Sequence, residues 1–216
     1  KYYSELTFHY WYWKNILNKE KNDWVGFCQK RRFWIRKEYE KKKIFKDNLN
    51  ESLLDEIDEN LNKFESFICK PIKVSGAKKI KILKRGWRNL LKDPSILYNP
   101  NKETIGLHFD MHHGYKNLEK AIKYLDNENR KDFSDYVNNR DYYNPHIMCI
   151  ARPEILDKWF KSLFIWLEKC ESEFGYDNLE GYDTQRLYAY LAERYLSYWF
   201  KKYTKFKELP WTFVEI

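Results

Sequence analysis

Two adjacent arginines, Arg31 and Arg32, close a short apolar run in the segment WVGFCQKRRFW. A guanidinium offers a planar fork that can grip a phosphate through two hydrogen bonds, and it stays charged at any relevant pH. The pair therefore reads either as a phosphate clamp or as surface charges pointing to opposite faces of a strand exit. Near the other end, YDTQRLYAYLAERYLSYWF carries two carboxylates, Asp183 and Glu193, of the kind that takes a proton from an attacking hydroxyl. Asp183 reads equally as a helix cap, and Glu193 as the partner of Arg186 or Arg194 in an internal ion pair. Arg186 and Glu193 are two helical turns apart and share a face. A third group, Asp110, His112 and His113 in LHFDMHHGYKN, has residue types suited to a divalent cation, and on a strand Asp110 and His112 would point the same way. No DxD motif or second ligand cluster completes that set. Manganese or magnesium is therefore left open, and no metal ligand is assigned.

The elements that must place these groups follow from periodicity. Residues 3–15 read as an amphipathic helix, with Ser4 as its cap and Leu6, Tyr10, Trp13 and Leu17 on one stripe. Residues 24–28 form a short buried strand that delivers Gln29, Lys30, Arg31 and Arg32 at its carboxyl end, where open α/β sheets bind ligands. A helix is expected through Leu53, Leu54, Ile57, Leu61 and Phe64, and then a strand over 67–74 that Pro71 interrupts or confines to an edge. Residues 78–92, KKIKILKRGWRNLLK, mix basic and apolar side chains without an acid. They read as a basic amphipathic helix lying on an anionic membrane surface, or as an ordinary helix with a basic outer face broken at Gly86. Gly114 starts a helix over 115–125 whose free amides could meet an anion. Residues 147–151 form an apolar strand. Pro153 opens a long core helix, which Gly175 ends, and a last helix spans 182–200.

Composition bounds the class. In 216 residues there are 18 Tyr, 14 Phe and 9 Trp, ample apolar surface for a sizeable core, with only 7 Gly and 6 Pro and no linker-like stretch. One domain, residues 1–216, is the simplest reading. The net charge of +8 attracts anions without choosing among nucleotides, acidic glycans, lipid headgroups and nucleic acid. Cys28, Cys69, Cys149 and Cys170 are widely spaced and read as reduced core residues of a cytoplasmic protein. No apolar run approaches the length of a membrane span, and no signal peptide is visible.

The pattern SELT, YWYWKN, then an apolar strand running into RRF, resembles the opening of a bacterial family described as capsular-polysaccharide-synthesis glycosyltransferases, long filed as a domain of unknown function. The last helix adds a matching R…ERL…W-type pattern at Arg186, Glu193, Arg194, Leu196 and Trp199. Gln29 stands where the family has histidine. The resemblance implies a helix-rich α/β fold of the type-A glycosyltransferase (Rossmann-like) kind with a short, mostly parallel sheet. It further implies that a first strand and helix for the nucleotide base precede Lys1, and that residues 35–105 are a variable acceptor-side insertion. It implies a nucleotide-sugar donor and a glycan or lipid-linked glycan acceptor, with Arg31 and Arg32 at the diphosphate, His113 and Asn144 lining the sugar, Gln29 and Arg186 also in the donor site, and Asp183 or Glu193 as the base. The expected location is the cytoplasm, at the inner face of the membrane. The rival class is a non-catalytic binder of nucleic acid or anionic surfaces, and a third reading is a degenerate glycosyltransferase scaffold that keeps the fold without turnover; scattered basic residues and the lack of a recognised nucleic-acid module argue against nucleic acid.

Overall fold

The structure, a computed structural model, describes residues 1–76 and 78–215. Helix α1 (Leu6–Asn15) leads to strand β1 (Val25–Gly26) and, past a tight turn, to β2 (Arg32–Trp34). A largely irregular strap with one short helix, α2 (Leu49–Ser52), reaches β3 (Ser66–Cys69) and β4 (Ile72–Lys73). Five helices follow in succession: α3 (Lys79–Arg85), α4 (Trp87–Lys92), α5 (Ile105–His113), α6 (Asn117–Ile122) and α7 (Asn127–Asn139). The chain ends with β5 (Tyr142–Tyr143), β6 (Cys149–Ala151), α8 (Pro153–Phe174), α9 (Gly181–Gln185), α10 (Leu187–Tyr203), β7 (Phe206–Leu209) and β8 (Trp211–Phe213).

The main sheet runs in the order β1-β6-β3-β7. It is mixed, and the expectation of a mostly parallel sheet is corrected: only β3 and β7 are parallel, while β6 is antiparallel to both its neighbours. Strict strand–helix alternation forces parallel pairing, and here five helices in a row separate β3 from β6, which frees the returning strand to run either way. Side-chain alternation along β3 and β6 builds two layers. Ile68, Cys149 and Ala151 face the main core of α8 and α10, while Phe67, Cys69, Met148 and Ile150 face a second cluster with Trp34 and Leu209. Leu54, Ile57, Leu61 and Phe64, expected on a helix, cover that second cluster from an irregular strap, so their apolar character follows from burial under the strap and no helical period is needed. Residues 35–105 supply β3, one of the two inner strands of this sheet.

On the other face, α8 buries Leu156, Trp159, Phe160, Leu163, Trp166, Leu167 and Cys170, a stripe at helical spacing, against α10. Helix α1 leans on α8, with Trp13 stacked on Phe164 at 5.8 Å and the edge of Tyr10 5.0 Å from the same ring. Ser4 does not cap α1; it lies at φ 49° and the helix starts at Leu6. Cys69, Cys149 and Cys170 are buried free thiols, whereas Cys28 is exposed.

Residues 105–113, read as a strand, form a helix. Their alternating burial arises because α5 is packed on two sides: Ile105, Phe109 and His113 are buried toward the main core, while Leu107 and Met111 meet Ile82 and Ile96 in a third cluster. Thr104 caps it, its hydroxyl accepting from Leu107 N at 3.3 Å. The expected helix 182–200 is divided at Arg186, where the backbone (φ −100°, ψ 30°) leaves the helical region between α9 and α10.

Burial among aromatic rings holds the imidazole of His9, 1% exposed, down to about 4, although the Glu5 charge pulls the other way. The unfolded chain, with an ordinary histidine near 6.5, then binds the proton that the folded chain refuses, so stability from this group is present above that value and is lost as pH falls toward 4. His9 alone is expected to remove about 2 kcal/mol of stability between pH 7 and pH 5. Urea unfolding at the two pH values should show this loss, and His9→Gln should flatten the profile by that amount.

Candidate functional site

The paired-arginine segment and the final helix meet. Residues 29–32 form a tight turn in which Arg32 N donates to Gln29 O at 3.0 Å and Arg31 takes φ 67°. An L-residue there costs about 1–2 kcal/mol, and Val214 N, donating to Arg31 O at 2.9 Å, helps to hold the conformation. The two guanidiniums consequently diverge. Arg31 is exposed to solvent, while Arg32, the first residue of β2 and paired with Phe213 of β8, turns into a cleft of about 140 Å³ with Gln29, Glu5, His146, Arg186 and Glu193.

Each charge in this cleft except one is paired. Arg186 pairs with Glu5 at 3.2 Å and donates to Ser4 Oγ. Burial would raise the Glu5 carboxyl, but hydrogen bonding from Ser4 and the backbone, together with the Arg186 charge, outweighs it and holds Glu5 below the usual range. Glu193 accepts from the His146 backbone N–H at 2.6 Å through Oε1 and from Arg194 through Oε2. Its ion pair is thus with Arg194 and not Arg186. Arg32 forms no ion pair and no side-chain hydrogen bond among the described residues; its guanidinium lies 5.5 Å from the Phe213 ring centroid. Of the four non-glycine residues at positive φ, Ser4 (49°), Arg31 (67°) and His146 (69°) border this cleft or touch its lining, while Lys116 lies elsewhere. Backbone in sparsely populated regions concentrates at functional sites.

A second group adjoins the first across Tyr190. Its ring stacks on that of His113 at 3.7 Å. His113 Nδ1 lies 3.1 Å from the Asp183 carbonyl, which only accepts, so Nδ1 carries the proton and Nε2 is left as an acceptor. Arg85 donates to Asp183 Oδ2 at 3.2 Å and to His112 Nδ1 at 3.0 Å. Burial, with Arg194 nearby, takes His113 to about 3 and His108 to about 2; His112 falls to about 4, through burial and the Lys81 and Arg85 charges. All three rings are neutral at physiological pH.

Arg32, Gln29, Arg186 and Glu193 therefore share one cleft, and His113 and Asp183 lie behind Tyr190. Asn144 and Arg31 do not join them. Asn144 is fully buried, its Nδ2 donating to Cys69 O (2.6 Å) and Glu208 Oε1 (2.8 Å) and its Oδ1 accepting from Ser197 (2.6 Å), which commits both amide hydrogens inside the core. On helix α5, Asp110 and His112 project in different directions: Asp110 accepts from Lys116 N at 2.9 Å and Asn89 at 3.1 Å, away from Arg85. Asp110 thereby occupies the amide just before the short helix α6, where an anion site was expected. Among the described residues no three His, Cys, Asp or Glu side chains stand close enough to hold a metal ion. Glu5, Arg85, His146 and Tyr190 also line or adjoin these groups; Glu5 falls inside the SELT pattern and His146 in the turn before the apolar strand 147–151.

This helix-rich α/β architecture with a small mixed sheet is similar in fold to an apo structure of the bifunctional glycosyltransferase WbbM, with a TM-score of 0.65 at 21% identity over 100% of this chain. The chain spans 37% of the length of that one. It belongs to the DUF4422 family, described as a domain of unknown function, which it matches over residues 1–205. No curated protein matches it.

Asn144→Ala should destabilise the fold by about 2–4 kcal/mol, because it deprives the Cys69 carbonyl, the Glu208 carboxylate and the Ser197 hydroxyl of a hydrogen-bond partner each. Chemical denaturation reads this directly. Below the lowered melting point, the variant should keep the ligand affinity of the parent, in contrast to a cleft substitution.

Proposed function

We propose that this chain transfers a sugar from a nucleotide-sugar donor to a growing capsular polysaccharide or lipopolysaccharide glycan, with the donor diphosphate held at the cleft around Arg32. The observation that carries this reading is the unpaired Arg32 guanidinium in a cleft whose other charges are matched. A lone fork of donors half-shielded from water is suited to a phosphate, and charge that develops on the departing diphosphate strengthens the contact. At about 140 Å³ the cleft is smaller than the roughly 300–1,000 Å³ of pockets that enclose a whole drug-sized ligand, so it fits the diphosphate and leaves the nucleoside outside.

In this reading Arg32, Gln29 and Arg186 hold the diphosphate, and His113, neutral, faces the sugar from behind Tyr190. The acceptor hydroxyl attacks the anomeric carbon as the bond to the diphosphate oxygen breaks, and its proton passes to a carboxylate. Asp183 is half exposed and bound by a single arginine, which leaves an oxygen available as base. Glu193 has both oxygens engaged and serves as a fixed anion that positions His146.

Thermal-shift titration with uridine diphosphate and its sugars tests the binding site. A rise in melting temperature is expected for the parent and for Arg31→Ala, and its loss in Arg32→Ala, since ligand binding to the folded state alone raises apparent stability. No rise with any nucleotide diphosphate would end the proposal. For the chemistry, Asp183→Asn should cut the turnover of nucleotide sugar by about 10²–10⁴-fold while the shift with the diphosphate persists.

A further inference from the structure

The α3–α4 segment is apolar on two opposite faces, although it lies at the surface. Ile82, 1% exposed, and the partly buried Leu90 pack inward with Ile96, Leu107 and Met111. Gly86 sits so close to that layer that an added Cβ would meet Ile82 O at 2.8 Å and Met111 Sδ at 3.3 Å, so the break between the helices is pinned to the body of the protein. Outward stand Ile80 (67% exposed) and Leu83 (50%) on α3, three residues apart, and Trp87 (51%) and Leu91 (76%) on α4, four apart, each pair at helical spacing. Tyr98, 79% exposed, extends the patch. A surface helix needs one apolar face, and the second is unpartnered.

The charges on the segment itself are of one sign, with Asp183 beside Arg85 and Glu119 near Lys92 as acidic neighbours. Lys78, Lys79, Lys81, Lys84, Arg85, Arg88 and Lys92 are exposed, and the segment contains no acid. Several of these cations lie beside rings: Lys79 is 5.4 Å from the Tyr98 centroid, Arg88 5.2 Å from Trp87 and 5.5 Å from Tyr115, and Lys92 5.5 Å from Tyr115. Long basic side chains and amphipathic rings around exposed aliphatics match the boundary layer of a bilayer, where aliphatics enter the acyl region, Trp and Tyr sit among headgroups and cations meet anionic lipid.

We propose that α3–α4 is a docking face for an anionic phospholipid bilayer, with Ile80, Leu83, Trp87 and Leu91 inserted and the surrounding lysines and arginines on the headgroups. A second copy of the chain is the poorer occupant, because contact between two such faces would bring two mainly basic rims together. The proposal stands independently of sugar transfer. It does adjoin the candidate site: Arg85, at the end of α3, reaches Asp183 and His112.

Vesicle flotation of the full chain tests it. Phosphatidylglycerol-containing vesicles should carry the protein at low salt, phosphatidylcholine vesicles should leave it behind, and added salt should weaken the binding. The double variant Lys79→Glu/Lys84→Glu should lower partitioning at least tenfold, as should Trp87→Glu/Leu91→Glu. All four side chains are exposed, and unchanged melting temperature verifies that each variant is folded. Uptake independent of lipid charge, binding undiminished in either variant, or no binding to anionic vesicles would each overturn the proposal. So would a dimer in light scattering that Trp87→Glu/Leu91→Glu dissolves.

Discussion

The buried pairing of Glu193 with Arg194 sets the geometry on which the cleft depends. Arg194 is 1% exposed, and a charge so far from water persists only with a partner and hydrogen bonds around it. Its other contacts reach His108 on α5 and the face of Tyr143, 3.8 Å away, on β5, while Glu193 holds the left-handed backbone of His146. One pair of neighbouring residues on α10 thus ties a helix, a ribbon strand and the loop before β6 into a single arrangement. A hydrophobic pair of similar volume would fill the same space; it would not grip the His146 amide.

Around this pair the small sheet acts as a partition between aromatic layers. The strands are only two to four residues long and cannot fix a site by themselves. Precision comes from packing: Trp159, Trp166, Tyr188, Tyr195 and Phe133 are almost wholly buried, and close-packed rings resist the displacement that would move α10 relative to β2. That rigidity sustains three left-handed residues around one cleft, each of which would relax to ordinary backbone in a looser fold.

The long elements were legible because burial on one side leaves a clear period: α8 runs from Pro153 to Phe174, bounded by the proline and glycine that the sequence displays. Legibility failed where an element is buried on two sides or held by neighbours. Helix α5 alternates like a strand because two opposed stripes, Ile105/Phe109 and Leu107/Met111, interleave at every second residue. The strap over the second core layer imitates an amphipathic helix for a similar reason. In the site, the arginine turn and the last helix that line one cleft are the two segments in which the family pattern is densest. The divergence of Arg31 from Arg32 depends on one backbone angle, and the burial of Asn144 on partners 53 to 75 positions away, neither of which a local pattern carries.

The pairing of β2 with β8 joins residues 32–34 to residues 211–213. During synthesis the strand that bears Arg32 waits, edge unpaired, until residues 211–213 have been made. An open edge of this kind invites pairing with another nascent chain. The cleft around Arg32 therefore forms only once β8 has been made, and helices α1 to α10 can be in place before it closes.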